Sequence, residues 1–328
     1  MRHAIELGAS LYVPAIHRDL VEIARGQKLG HVRSLIICTE DAIRSDELSA
    51  GLENLAHALL HLAPRADQLR FVRPRSPEVM RQILAMSGSE QLDGFVIPKC
   101  NETSIVAYLA SLEGHPHCIM PILETREVFD PVAMQSLCRL LDADHIRWRV
   151  LALRIGGNDL LSLLGLRRPR GKTLYQTPIG AVIASLVSIF KPSGFNLTAP
   201  AFEHFRDDAT LIREVREDLD HGLVGKTAIH PEQITLIESR FQVGSEDVEA
   251  AKLILSASAP AVFGHQGSMC EPATHRNWAE QILLRAGKFG MRDVPVQADG
   301  LLQFPDMQQL LESHPQKNSE GGSLSMVK

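Results

Sequence analysis

The chain has 328 residues, of which 45% are hydrophobic and 22% are charged, a composition typical of a globular protein with a large core. Its net charge of −5, without long basic runs, gives no reason to expect nucleic acid as a partner. Five cysteines without a CxxC pair indicate neither a disulfide framework nor a zinc knuckle. Because the sequence shows no secretory signal and no apolar run of about 18 residues, we expect a cytoplasmic protein with no membrane partner.

Eight short apolar or β-branched runs follow one another along the chain, and each is predicted to be a strand. They are residues 10–14, 34–38, 69–73, 94–98, 118–123, 150–155, 195–198 and 226–229. Helix-like amphipathic segments separate most of them, for example residues 46–62, 77–86, 102–112, 178–190 and 209–221. Apolar strands that alternate with helices favour a parallel sheet covered on both faces, and eight such units favour a closed (β/α)₈ TIM barrel over an open doubly wound sheet.

The pattern changes after His230. Residues 231–239 can form the last barrel helix, Ser245 is predicted to be the N-cap of a further helix, and another helix is predicted at 272–287. We therefore predict a barrel at 1–240, a small helical C-terminal appendage at 241–290 and a tail at 291–328. Residues 314–328 are rich in Ser, Gly and Lys, and we expect them to be disordered.

Polar side chains follow most of the predicted strands. They are Glu40, Asp41, Arg73, Lys99, Glu124, Asp159, Thr198 and His230. Because the carboxyl ends of parallel strands meet at one rim of a barrel, where active sites lie, we expect these side chains to face one site. For any single residue, a strand that simply ends at the surface is an equally good explanation, but the whole set favours a site.

Glu124 and Asp159 are the most informative pair in this set. Two carboxylates from separate strands, with no Cys or His beside them, suit Mg²⁺ or Mn²⁺ better than zinc. Gly156 and Gly157 would bring bare backbone close to a ligand at the same strand end. The structural alternative is that Asp159 caps a helix over residues 160–164.

The other charged residues at the strand ends are predicted to bind substrate. The guanidinium of Arg73 could bind a substrate carboxylate or enolate through two N–H donors, although an arginine at a strand end is usually a solvated residue. Glu40 and Asp41 could hydrogen-bond metal-bound water, or Asp41 could instead cap the next helix. Lys99, together with Gly156 and Gly157, completes the predicted substrate-binding set.

Several motifs, taken in order, carry a resemblance to a known family. They are Leu11-Tyr12-Val13-Pro14, Thr39-Glu40-Asp41-Ala42, Val72-Arg73, Gly94-Phe95-Val96-Ile97-Pro98-Lys99, Pro121-Ile122-Leu123-Glu124-Thr125, Gly157-Asn158-Asp159-Leu160 and Gly225-Lys226-Thr227-Ala228-Ile229-His230-Pro231-Glu232-Gln233. Over residues 10–287 the chain resembles the citrate lyase β-subunit/malyl-CoA lyase branch of the HpcH/HpaI aldolase superfamily. The particular form of its motifs is similar to that of the carbon–carbon bond lyase group associated with bacterial tellurite-resistance and stress operons.

The resemblance implies a (β/α)₈ barrel in homo-oligomers, usually trimers or hexamers. It also implies Mg²⁺ held by Glu124 and Asp159, and Arg73 in contact with an α-keto or α-hydroxy acid. In the relatives that use CoA, the helical C-terminal segment is a lid that lends a catalytic carboxylate to a neighbouring subunit. Here Glu271 takes that position, where the relatives carry Asp.

Two departures from the relatives lie near their acyl-thioester side. Residues 15–18 read Ala-Ile-His-Arg where the relatives carry Gly-Asp-Arg, and Thr198 stands where they often carry Asp. Both departures weaken the case for CoA as the carrier of the substrate.

We therefore predict a Mg²⁺-dependent carbon–carbon lyase of aldol or retro-Claisen type, acting on a 2-oxo or 2-hydroxy acid or its acyl thioester. Arg73 would neutralise charge that develops on oxygen, and Glu271 would move the proton. Two alternatives stay open. One is a barrel-type binding or assembly subunit with little activity of its own, and the other is an aldolase or condensing enzyme for a non-CoA, nucleotide-like metabolite.

Overall fold

Eight parallel strands form the central sheet in a computed structural model of the chain, which describes residues 2–62 and 68–292. The strands are β1 (Ala9–Pro14), β2 (Ser34–Cys38), β3 (Leu69–Arg73), β4 (Gly94–Ile97), β5 (Cys118–Leu123), β6 (Leu153–Ile155), β7 (Leu197–Thr198) and β8 (Lys226–Ala228). Each strand pairs with its neighbour in sequence, and β8 pairs with β1. A bridge between Ala199 and Lys226 joins the two remaining edges, so the predicted (β/α)₈ barrel is confirmed.

Helices follow the strands in the order expected for a barrel. They are α1 (Leu20–Ala24), α2 (Leu48–Leu59), α3 (Pro77–Leu84), α4 (Ser104–Ser111), α5 (Pro131–Leu141), α6 (Asp144–Arg147), α7 (Gly157–Leu163), α8 (Ile179–Phe190), α9 (Asp208–Asp220), α10 (Glu232–Arg240), α11 (Ser245–Leu255) and α12 (Pro272–Phe289). Local sequence explains where several of these helices begin. The Ser76 side chain, for example, accepts a hydrogen bond from the Val79 N–H at 3.3 Å, and Pro77 takes the first helical position. Within the described parts of the chain, none of the helices is both long and apolar enough to cross a membrane.

Side chains that alternate along the strands fill the barrel interior. An apolar cluster contains Ile36, Phe71, Val96, Met120 and Ala152, with Tyr12 packed against it. Because successive strand residues point to opposite faces, Arg154 faces the same interior as Ala152. The barrel is therefore apolar in its middle and carries a buried arginine nearer its carboxyl rim.

We predicted a helical C-terminal appendage, but the segment at residues 243–292 also contains short strands. Besides α11 and α12, it contains an antiparallel hairpin of β10 (Phe263–His265) and β11 (Ser268–Cys270), and a pairing of β9 (Val243–Gly244) with β12 (Met291–Arg292). The hairpin turns at Gln266 and Gly267, which both have positive φ, as a two-residue turn requires.

Two further expectations for this region need comment. The N-cap of α11 is Gly244, and Ser245 is already the first helical residue, so the predicted N-cap was wrong by one position. The segment has an apolar cluster of its own, but the proposed domain boundary at residue 240 stays a prediction. Of the predicted tail, residues 293–328 lie outside the described residues, and so does the expected disorder of 314–328.

Candidate active site

A cavity of about 420 Å³ lies at the carboxyl ends of the barrel strands. Most of the predicted site residues line it, namely Asp41, Arg73, Glu124, Gly156, Gly157 and Asp159. The barrel topology explains this convergence, because strands far apart in sequence end at the same rim. Tyr12, Arg154 and Thr227 also line the cavity, and none of them was predicted as a site residue.

Glu124 and Asp159 meet in this cavity from separate strands. Glu124 is only 4% exposed, and its Oε1 accepts a hydrogen bond from the Lys99 N–H at 2.8 Å. Lys99 adopts a left-handed backbone conformation (φ 47°), which is uncommon for a residue with a side chain. Burial first, and then the negative charge of Asp159, raise the pKa of Glu124 to about 7.

The alternative role of Asp159 as a helix cap is not supported. The N-cap of α7 is Gly156, which makes no side-chain cap bond, and Asp159 lies in the first turn of the helix instead. Its carboxylate lines the cavity, so its position fits a ligand of a cation.

The donor set in the cavity fits a hard divalent cation. Within residues 2–62 and 68–292, no group of three or more His, Cys, Asp or Glu side chains could hold a metal ion. A cation held by Glu124 and Asp159 would therefore complete its shell with oxygens of water and substrate. Mg²⁺ favours this arrangement, since it usually takes one or two carboxylates and keeps several waters.

Gly156 and Gly157 allow the close packing that places Asp159. A Cβ atom on Gly156 would collide with the side chain of Glu124, and one on Gly157 would lie 2.8 Å from Pro200 Cβ and 2.9 Å from Leu174 Cδ2. A side chain at position 156 would therefore displace Glu124, and a side chain at position 157 would displace the start of α7.

Arg73 is held rigidly at the end of β3. Its Nη2 lies 3.1 Å from Glu40 Oε2, its Nε donates to Cys38 Sγ at 3.1 Å, and its guanidinium lies over the Tyr12 ring at 5.1 Å. Burial alone would lower the pKa of Arg73, but the polar groups around it raise the pKa above its usual value. Arg73 is therefore a fixed cation in the wall of the cavity.

Glu40, Asp41 and Lys99 form a network beside Arg73. The Lys99 ammonium contacts Glu40 and lies 3.3 Å from Asp41 Oδ2. Asp41 does not cap a helix, because the next helical turn begins only at Ser45 with Arg44 as its N-cap. Asp41 lines the cavity, whereas Glu40 and Lys99 reach it through their partners.

Glu271 is not brought to this cavity by its own chain. It precedes α12, where its N–H donates to His275 Nδ1 at 3.1 Å and its Oε2 accepts from Thr274 Oγ1 at 3.1 Å. Among the described residues that line the cavity, Glu271 is not included. A catalytic role for Glu271 would require a second copy of the chain, and that role stays a prediction.

Arg154 is the principal site residue that sequence reasoning missed. It is 2% exposed, and its Nη2 donates to Thr227 Oγ1 at 2.6 Å. The available signal was a charged residue inside the apolar run 150–155, although the sequence does not show which face of the strand it occupies.

Comparison with known proteins gives a matching family model and several similar sequences. A family model described as a C–C bond lyase of the TIM-barrel fold matches residues 1–291. The chain is 25% identical over 261 residues to a (3S)-malyl-CoA thioesterase of Cereibacter sphaeroides, with 78% of this chain and 85% of the relative covered. It is 32% identical over 242 residues to the mitochondrial citramalyl-CoA lyase of Homo sapiens, with 71% and 64% covered.

Solved structures show the same fold. The CitE protein of Mycobacterium tuberculosis in complex with magnesium, acetoacetate and coenzyme A has a TM-score of 0.64 at 20% identity, with 86% of this chain and 99% of that chain covered. The citrate lyase β subunit complexed with oxaloacetate and magnesium from the same organism has a TM-score of 0.54 at 18% identity, with 72% and 98% covered.

Proposed function

Because the chain belongs to the C–C bond lyase family of the TIM-barrel fold, we propose that it is a Mg²⁺-dependent lyase that cleaves or forms a carbon–carbon bond in a 2-oxo or 2-hydroxy acid or its acyl thioester. The observation that carries this proposal is the meeting of Glu124 and Asp159 in one cavity beside the fixed cation Arg73. The magnesium in the similar solved structures and the CoA thioesters in the names of the relatives support it.

Three charged residues of the cavity have a part in this chemistry. Glu124 and Asp159 would hold Mg²⁺, which when bound supplies a Lewis acid for the oxygens of the substrate acid. Arg73, held in place by Glu40, would stabilise negative charge that develops on the substrate oxygen as the bond breaks. Since Arg73 is already oriented, this stabilisation requires no rearrangement during the reaction.

The residue predicted to move the proton, Glu271, does not line the cavity of its own chain. We propose that Glu271 of a second copy of the chain moves the proton to or from the carbon atom. Within residues 2–62 and 68–292, the carboxylate of Glu271 is hydrogen-bonded only to Thr274, in its own segment.

Substitution of the two carboxylates tests the metal site. We expect Glu124→Gln and Asp159→Asn each to weaken Mg²⁺ binding by at least about tenfold and to abolish lyase activity, since each removes a charged ligand. Mg²⁺ binding can be measured by calorimetry, and activity with citramalyl-CoA, malyl-CoA and the corresponding free acids.

A nearby acidic residue provides the matched control. Glu127 follows the same strand but accepts a hydrogen bond from Asn101 at 3.3 Å and does not line the cavity, so Glu127→Gln should bind Mg²⁺ like wild type. Wild-type Mg²⁺ affinity in Glu124→Gln and Asp159→Asn would refute the site. A wild-type protein that binds Mg²⁺ but cleaves no member of the panel would favour the alternative of a binding or assembly subunit.

A further inference from the structure

Arg154 is a buried cation in the floor of the cavity, and the mechanism above does not use it. Besides its bond to Thr227, its Nη1 donates to Ser10 Oγ at 3.4 Å, and its guanidinium lies over the Tyr12 ring at 5.7 Å. These partners are all neutral, and Arg154 forms no ion pair with the described residues. An arginine stays charged even when buried, and the carboxylate that acts on this charge, Glu124, is one that a bound divalent cation would neutralise.

The other charges around the cavity balance one another. Ion pairs join two cations and two carboxylates, namely Arg73, Lys99, Glu40 and Asp41. The two remaining carboxylates, Glu124 and Asp159, would be neutralised by a divalent cation. With Mg²⁺ bound, the side chains that one chain contributes to the cavity are therefore left with a single positive charge, that of Arg154.

We propose that Arg154 binds the carboxylate of the substrate acid, and that the enclosed part of the substrate carries one negative charge. This inference rests on the proposed function, because it takes the ligand to be a 2-oxo or 2-hydroxy acid bound in the same cavity. Arg73, already paired with Glu40 and Cys38, then serves the reacting oxygen and not the carboxylate. Arg154 is thus the residue that selects an acid over a neutral analogue.

Lactate and lactamide test this proposal, since they share the 2-hydroxy group and methyl group and differ in one negative charge. Their affinities for the full-length, Mg²⁺-loaded protein can be measured by ligand-observed ¹H NMR of the methyl group. We expect wild type to prefer lactate, and Arg154→Met to bind lactate roughly tenfold or more weakly, as when a charge-assisted hydrogen bond is lost. The affinity of Arg154→Met for lactamide should be unchanged.

Arg168 provides a matched control because it is equally buried but paired, 2.9 Å from Glu214 Oε2, and does not line the cavity. Arg168→Met should lower the melting temperature and keep the preference for lactate. Arg154→Met should keep or raise the melting temperature, and Arg154→Lys should keep part of the preference. Arg154→Gln removes the same charge and gives the same answer if Arg154→Met does not fold.

The outcomes separate this proposal from the proposed function. Mg²⁺ binding is measured independently in each variant, so failure of wild type to bind Mg²⁺ contradicts the proposed function. If Mg²⁺ binds normally, the role of Arg154 is overturned by equal wild-type affinity for lactate and lactamide, by absence of lactate binding, or by undiminished lactate binding in Arg154→Met.

Discussion

Glu124 combines burial with a close negative neighbour, and this combination controls how the cavity takes up a cation. In the metal-free protein both effects raise the pKa of Glu124 to about 7, so the carboxyl group is partly protonated near neutral pH. Mg²⁺ must displace this proton, because only the ionised carboxylate is a good ligand. Mg²⁺ affinity should therefore rise by up to about tenfold per pH unit below pH 7 and level off about one unit above it. Calorimetry between pH 5.5 and 8.5 measures this profile.

The raised pKa of Glu124 also predicts whether the stability of the metal-free protein rises or falls with pH. The folded protein holds the proton of Glu124 more tightly than the unfolded chain, where the carboxyl group titrates near its ordinary pKa of 4.5. The stability of the metal-free protein should therefore fall as the pH rises from about 4.5 through 7, and Glu124→Gln should remove this part of the dependence. A Mg²⁺ affinity that does not change between pH 5.5 and 8.5 would contradict the assignment of Glu124.

Sequence reasoning found the candidate site residues at or after the ends of strands, but not those inside the strands. Glu124, Asp159 and Arg73 were predicted because polar residues after apolar runs collect at the rim of a barrel. Arg154 and Tyr12 lie inside strands, and the face to which they point depends on where each strand starts and on its register. These features follow from pairing with neighbouring strands, which a single sequence does not display.

At the scale of elements, a buried charge cluster joins β8, α9 and the loop after α7. Lys226 Nζ lies 2.9 Å from Glu214 Oε1 and 2.8 Å from Asp218 Oδ2, and Glu214 also binds Arg168. Glu214 Oε2 accepts a hydrogen bond from the N–H of Leu174, the residue that packs against Gly157 at the start of α7. The cluster therefore supports the element that carries Asp159, although it lies outside the cavity.

Removal of Lys226 should destabilise the whole barrel. Lys226→Met leaves Glu214 and Asp218 buried with one cation fewer, and breaking a buried ion pair costs roughly 3–5 kcal/mol of unfolding free energy. Urea denaturation followed by circular dichroism measures this loss. Lys172→Met, at an exposed lysine of the same loop, is the control and should change stability by less than about 0.5 kcal/mol. A loss of similar size in both variants would contradict a role for the cluster.

Long periodic elements were predictable from the sequence, whereas very short ones were not. The helices predicted at residues 77–86 and 178–190 match α3 and α8 within two residues. The sixth strand begins at Leu153, three residues later than predicted, although Val150 already pairs with Ile119 in an isolated parallel bridge. The hairpin of β10 and β11 has only three residues per strand, too few for an alternating pattern to identify.

At the scale of the whole molecule, the C-terminal segment exposes large apolar side chains and keeps Glu271 away from the cavity of its own chain. The exposed residues include Met269 (62%), Val262 (55%) and Met291 (55%), and Trp278 and Leu284 are exposed as well. Other large apolar side chains are exposed on the barrel, among them Val132 (69%) and Leu60 (62%). The homo-oligomer in which this carboxylate acts on a neighbouring cavity therefore stays a prediction.

Subunit mixing distinguishes action in trans from action within one chain. Glu124→Gln and Glu271→Gln should each be inactive as pure oligomers with the substrate that wild type cleaves. If a cavity uses Glu271 of its neighbour, mixed oligomers contain sites with both residues intact, and random assembly of equal amounts restores about one site in four. Mixing Glu124→Gln with Asp159→Asn is the control, because each cavity takes both metal ligands from one chain, every chain in the mixture lacks one of them, and no site can recover. Activity in the first mixture and none in the second would establish exchange of Glu271 between subunits. If the first mixture stays inactive although size-exclusion chromatography shows mixed oligomers, or if an isolated monomer is fully active, action in trans is wrong.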